Sequence, residues 1–524
     1  MAVESIPEVE SLTVQTLRGA RWSYLSTLVN AALQILVTAI LARLLVPAAF
    51  GLVAMAGLVL RLGLYFAQMG VGQAIVQREV LTRDHVRAGE WASILIGVTF
   101  AGLVWLAAPL ISAVFGTVEL VDLIRIMGVS FVLTGTSSVP RALLRRSMRF
   151  GAIAFADIVS YVVGYAAVGV ALALTHHGVW SLVAAALCQS ALSSILCNGL
   201  ARPSIVPVLS WRPYRDLLGF GSRVSLISFL EFVTGSTDTL LVGRLSGATS
   251  LGLYSRAFNL AGLPMEYLGS SLGQVLLPSF SRIQRESARL GQVYLSVVTV
   301  FAGIGVPVAL GMSGAARDIV AVLLGPAWAG AVPVMRIATL ASSAAMLTAF
   351  AGVTLEATAH LREKLVLRLV QLPVLAALLF ALGRFGLSGF AAACVISEVG
   401  LHVFTAWWLG SLLRIPIRDH LGAYYPGIAC GAVIWVALYA ESELGLCAGI
   451  PSYLVLCAQL LSGALILGML GLRLGDKRVL RTVLSRTGVN PRNPAGRVLV
   501  ALALRLAGGL QDRSNESVQG GGGL

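Results

Sequence analysis

Charge is what this sequence has least of. Asp, Glu, Lys and Arg make up 12% of its 524 residues, against 57% hydrophobic ones, and the mean hydropathy is +0.86. That balance excludes an ordinary soluble domain. Cysteine is scarce too. The six, at 188, 197, 394, 430, 447 and 457, lie in or near apolar runs without metal-ligand spacing, so they read as small packing residues rather than a disulfide framework or metal site. No glycine-rich loop is followed by Lys-Ser or Lys-Thr, which removes direct ATP hydrolysis of the P-loop kind.

What the chain does have is apolar length. Stretches of about twenty residues recur from Trp22 to Gly471, each able to cross a hydrocarbon core of about 30 Å. About fourteen can be counted, so the expected fold is an all-α polytopic membrane protein. Met1 to Glu10 carries three Glu and no Lys or Arg, unlike a cleavable signal, and the first helix is expected to direct insertion. The net charge of +14 does not point to nucleic acid, because it is sorted between alternate connections. One set holds Arg18 and Arg21, Arg78 to Arg87, Arg141 to Arg149, Arg202 to Arg215, Arg282 to Arg289, Arg362 to Arg368, and Arg414 with Arg418. The other set holds at most one basic residue each: Arg43, Arg125, Arg244, Arg317 and Arg384. The positive-inside rule then places both termini in the cytoplasm.

The chain also repeats itself. A shift of 201 residues lays Arg43-Leu44 on Arg244-Leu245, Gly51-Leu52 on Gly252-Leu253 and Gly72-Gln73 on Gly273-Gln274; a shift of 208 lays Gly178, Ala184 and Ala185 on Gly386, Ala392 and Ala393. Two halves of six helices each share one orientation in the membrane, so the repeat is parallel, and in a transporter its site lies between the halves. The expected segments are a cytoplasmic N-terminal segment 1–20, a first six-helix bundle 21–201, a cytoplasmic linker 202–216, a second six-helix bundle 217–411, two C-terminal transmembrane helices within 412–472, and a basic cytoplasmic tail 473–524. In that tail, Arg497 to Leu506 reads either as a helix lying on the anionic inner leaflet or as part of a disordered end.

Ionisable residues inside the spans carry the functional signal, since each costs roughly 2.5–3.5 kcal/mol at a helix centre and needs a partner or a wet cavity. Arg61 lies mid-span in the second helix and Arg256 about one turn inside the eighth. A guanidinium at such depth suits a diphosphate, because its fork grips two oxygens and it does not deprotonate. The other reading is an ion pair with Glu231 or Asp238. Those two carboxylates, seven residues apart on one face of the seventh helix, either take up H⁺ or Na⁺ to couple transport or hold arginines in place. Asn30 and Gln34, four apart on the first helix, make a polar stripe that faces a cavity or bonds a neighbouring helix. Asp157, Glu356 and Glu398 are further in-span acids, whereas Arg223, Glu266 and Arg336 lie near helix ends, where snorkelling accounts for them. No catalytic residue, metal site or cofactor is expected.

Leu44-Leu45-Val46-Pro47-Ala48-Ala49-Phe50-Gly51, Gly70 to Gln77, and Asp238 to Asn259 around Leu251-Gly252-Leu253-Tyr254-Ser255-Arg256-Ala257 complete the picture. Over about residues 12–475 the chain resembles the polysaccharide flippases of the multidrug/oligosaccharidyl-lipid/polysaccharide exporter superfamily, nearest to the branch exporting colanic acid, succinoglycan and teichuronic acid repeat units. The resemblance implies twelve plus two helices around a central cavity in the bacterial cytoplasmic membrane. It implies undecaprenyl-diphosphate-linked oligosaccharides carried to the outer leaflet by alternating access, for lipopolysaccharide or exopolysaccharide, by a protein that is not an enzyme. Arg61 and Arg256 would be its cationic cavity, the last two helices a groove for the lipid tail, and its partners membrane lipid, the polysaccharide polymerase and the export machinery. The rival in the same superfamily is a cation-coupled multidrug exporter, which would want an acidic cavity. A glycan-joining enzyme would want long outer loops, which the sequence does not offer.

Overall fold

The computed structural model describes residues 29–67, 71–78, 80–204, 206–208, 210–211, 213–214 and 232–474, and all regular structure among them is helical. Ten of these helices are long and apolar enough to cross a membrane, and two shorter apolar ones, Val29–Leu44 and Pro47–Gly63, precede them. The polytopic all-α class is therefore observed. The count of fourteen stays an expectation, because residues 215–231, where the seventh span should begin, lie outside the described residues.

Local sequence sets the helix ends. Helix α1 (Val29–Leu44) stops before Pro47, which opens α2 (Pro47–Ala67), a first-turn position where a missing N–H costs nothing. After α3 (Val71–Gln77), α4 (Arg83–Phe115) begins at Thr82, which exchanges hydrogen bonds with His85, and ends at Gly116 with φ 70°. Then come α5 (Leu120–Met127), α6 (Val129–Arg146), α7 (Phe150–Tyr161) with a π-helical continuation Val162–Gly169, α8 (Val170–Leu174) and α9 (Val179–Ala201). The later chain holds α10 (Thr237–Arg282), α11 (Ser287–Gly314), α12 (Ala316–Leu323), α13 (Val332–Ala357), α14 (Leu361–Gly383), α15 (Leu387–Leu413), α16 (Ile417–Cys447) and α17 (Ser452–Leu474). Gly247, at φ 79° and ψ 179°, breaks α10 in a conformation open to glycine alone.

The chain divides into two compact units. One comprises Met1–Arg256, Leu323–Ala331 and Arg368–Phe390; the other Ala257–Val322, Val332–Leu367 and Ala391–Leu524. Lipid gives no hydrophobic drive for helices to associate, so each unit is closed by small residues that let backbones touch. In the first, α4 and α6 cross with Gly97 against the Phe131 carbonyl and Gly135 against that of Ser93. In the second, Gly427 and Gly431 of α16 sit against Ala302 and Pro307 of α11, beside a core holding Phe280, Tyr294, Phe350 and Leu409. Leu95, Leu103, Leu106 and Leu110 of α4 are exposed, an apolar face that belongs against acyl chains.

Candidate functional site

The repeat seen in the sequence becomes a physical contact inside the first unit. A side chain at Gly51 would strike the carbonyl of Ala248, and one at Gly252 would strike that of Pro47. These four residues are two pairs related by the same shift of 201. The reciprocity extends outward: Arg43 reaches Gly325, Arg244 reaches Gly116, and both glycines have positive φ. Trp328 donates its indole N–H to the Ala42 carbonyl at 2.8 Å and meets Phe50 edge to face at 5.2 Å between centroids.

That contact fixes Phe50, and Phe50 fixes Arg256. The Arg256 guanidinium carbon lies 5.0 Å above the Phe50 ring, a cation–π arrangement. Its Nε is buried without a hydrogen-bond partner among the described residues. Tyr161 and Tyr165, stacked on each other at 5.1 Å, and Arg61 all lie within electrostatic reach of the same cation. Arg61 is exposed on α2, its Nε only 3.4 Å from the Gly57 carbonyl one turn back. Asp238 stands within reach of Arg61, but its oxygens are already engaged, one by the Thr239 amide at 2.6 Å and the other by the Tyr254 hydroxyl at 2.9 Å. Among the described residues neither Arg61 nor Arg256 is in a salt bridge, and the one carboxylate within electrostatic reach of Arg61, Asp238, is already satisfied. The local balance is cationic and, apart from Arg61 Nε, which donates to the Gly57 carbonyl, its guanidinium donors have no partner among the described residues, which suits an anion with several oxygens.

Three of the residues singled out from sequence thus lie near one another. Asn30 and Gln34 sit on α1, half-buried and exposed respectively, with no hydrogen bond tying them to this group. Glu231 lies outside the described residues.

A second feature was not anticipated. A cavity of about 630 Å³ in the first unit is lined by α3, α6, α7 and α9 and is rich in hydroxyls. At its wall Arg141 makes a bidentate pair with Asp157, at 2.7 and 3.3 Å, and donates to Ser193 at 2.8 Å. The sequence reading counted Arg141 among the basic inner residues and Asp157 among the in-span acids without joining them. The signal was there, since an acid inside a span needs a cation at its own depth and Arg141 lies just before the turn that returns the chain into the membrane. Other in-span ionisable groups are paired in the same way, Glu356 with Lys364 at 2.7 Å, while Arg336 lies over the Tyr439 ring at 5.1 Å.

The second unit holds an apolar cavity of about 800 Å³ between α11, α13, α15 and α16, walled by residues such as Leu310, Leu347, Val399, Trp407 and Ile428. His402 and His420 border it, and His402 Nε2 lies 2.9 Å from the Tyr424 hydroxyl.

Comparison with known proteins gives these features a setting. Residues 40–333, more than half of the chain, match the family described as Polysaccharide biosynthesis protein. The chain is 24% identical to the teichuronic acid biosynthesis protein TuaB of Bacillus subtilis (strain 168) over 407 residues, 77% of this chain and 79% of that one. It is 30% identical to the succinoglycan biosynthesis transport protein ExoT of Rhizobium meliloti (strain 1021) over 337 residues, 64% of this chain and 67% of that one. Among solved structures, the lipid II flippase MurJ in an inward closed conformation superposes with a TM-score of 0.70, covering 87% of this chain and 98% of that one; at 13% identity this likeness concerns the fold.

Proposed function

This chain belongs to the polysaccharide biosynthesis protein family, and from that membership we propose that it flips a polyprenyl-diphosphate-linked oligosaccharide across the bacterial cytoplasmic membrane, delivering repeat units for a surface polysaccharide. The protein is a multi-pass membrane transporter, and it works by opening its binding cavity to one leaflet and then the other. No bond is made or broken. The substrate's head group needs a cationic seat inside a low-dielectric protein, and its tail needs an apolar one.

The observation that carries this reading at the site is the pair Arg61 and Arg256. Each lacks a salt-bridge partner among the described residues, and Arg256 is held by an aromatic ring rather than by a carboxylate. A site for lipophilic cations would place net negative charge there. In this proposal the two guanidiniums take the diphosphate oxygens, Asn30 and Gln34 meet sugar hydroxyls, and Asp238, with Glu231, takes up the coupling cation. The apolar cavity of the second unit, bordered by Leu421 and Tyr424 of α16, receives the polyprenyl chain. Both termini lie in the cytoplasm, and the polymerase and export machinery receive the product.

The test is transport of an undecaprenyl-diphosphate oligosaccharide into proteoliposomes by the wild type, Arg61→Ala and Arg256→Ala. Loss of one charge-assisted hydrogen bond costs about 1.5–3 kcal/mol, so each change should weaken head-group binding roughly 10- to 150-fold while the melting temperature holds. Unchanged transport in both variants would remove the arginines from the site.

A further inference from the structure

The hydroxyl-lined cavity of the first unit differs in chemistry from the cation pair. Arg141 and Asp157 neutralise each other, because Asp157 takes two N–H groups of Arg141, which leaves Arg145 as the one uncompensated charge among the lining residues. That wall offers a diphosphate one unpaired guanidinium where Arg61 and Arg256 offer two, and an acyl chain would leave its polar groups unmatched. What the cavity does offer is unspent hydrogen bonding. The side chains of Ser138, Gln189 and Ser190 line it, are half-buried, and have no hydrogen-bond partner among the described residues. Each of these groups both donates and accepts. Arg145, exposed on the same cavity, has no partner among the described residues either.

A wall of groups that can each donate and accept matches a ring of hydroxyls, each of which does the same. At about 630 Å³ the space falls within the range of small-molecule sites, about 300–1,000 Å³. Gln189 is well placed to discriminate. The backbone of its helix, α9, lies so close to Gly164 in the π-helical segment that a methyl group there would meet the Gln189 amide nitrogen at 2.8 Å, so the main chain that carries the carboxamide is locked. The carboxamide carried on that main chain has two donors and one acceptor, so it can pair with neighbouring hydroxyls in either sense.

We propose that this cavity is a glycan subsite that takes one or two neutral sugar residues of the lipid-linked oligosaccharide, with Gln189, Ser190 and Ser138 as the residues that select them. The inference rests on the flippase reading and adds a second seat to it, separate from the arginines that take the diphosphate. Arg145, exposed and lining the same cavity, favours sugars bearing a carboxylate or other acidic substituent next to the neutral ones.

The experiment measures binding of two probes to the purified full chain in nanodiscs: undecaprenyl diphosphate, and the same lipid carrying a galactosyl-glucose disaccharide. The wild type should bind the glycosylated probe about five- to tenfold more tightly, the worth of one or two net hydrogen bonds. Gln189→Leu with Ser190→Ala, which remove polar atoms and little volume, should abolish that advantage, with affinity for the bare lipid serving as the control for folding. A wild type that binds the bare lipid but gains nothing from the disaccharide overturns the subsite, as does a variant that keeps the full advantage. A wild type that binds neither probe overturns the flippase reading and the subsite with it. If only Ser138→Val, and not the Gln189 and Ser190 changes, removes the advantage, the selecting role assigned to Gln189 is overturned.

Discussion

Single residues here are governed by the cost of a lone charge in a low-dielectric span. Arg141 and Asp157, with side chains 28% and 35% exposed, sit between a surface pair of little worth and a buried pair that is costly to break. Arg141→Ala would strand the carboxylate and should destabilise the protein by about 1–3 kcal/mol, seen as a lower melting temperature in detergent. Adding Asp157→Asn should recover part of the loss. Strictly additive losses would mean that the two groups act independently. The contrast with Arg256 is instructive, because that cation is held by Phe50 and keeps its nitrogens for something else. From sequence the two arginines differ only in position: one follows a hydroxyl-rich stretch at a helix end, the other lies in a recurring motif. Their different fates were set by which neighbour arrived, a carboxylate or a ring.

At the level of helices, small residues decide how closely backbones approach. Gly51 and Gly252 occupy equivalent places in the repeat and each faces a carbonyl of the other copy. A methyl group has no room there, and overpacking of this kind costs about 1–3 kcal/mol. Gly51→Ala and Gly252→Ala should therefore lower the melting temperature by similar amounts and impair transport together. Gly102→Ala, in open space on α4, should do neither. Unequal effects of the first two would argue against a reciprocal contact. The contact also explains why the matched residues include glycines: the sequence showed that they recur, and the fold shows that they recur because each copy must admit the other's backbone. Pro47 marks a helix limit by its own chemistry, and the structure uses it there; Thr82 and Gly116, which bound α4, are limits that the structure adds.

For the whole molecule, the asymmetry of basic residues predicts an orientation that labelling can check. In a chain whose six native cysteines have been replaced, His177→Cys should react with a membrane-impermeant maleimide in intact cells, and Arg149→Cys only after permeabilisation. The opposite pattern would invert the topology. The sequence by itself determined the membrane class and the helical fold. Those follow from hydropathy and periodicity, which are summed along the chain and survive any detail of packing. It also pointed to Arg61, Asp238 and Arg256, because charge inside a span is conspicuous. Only the tertiary structure decided that Asp238 is satisfied by Tyr254, that Arg141 is neutralised by Asp157, and that Ser138, Gln189 and Ser190 share one cavity. Serine and glutamine cost too little in a span to stand out from a sequence. Their meaning comes from convergence of α6 and α9, a contact between distant stretches that no local pattern encodes.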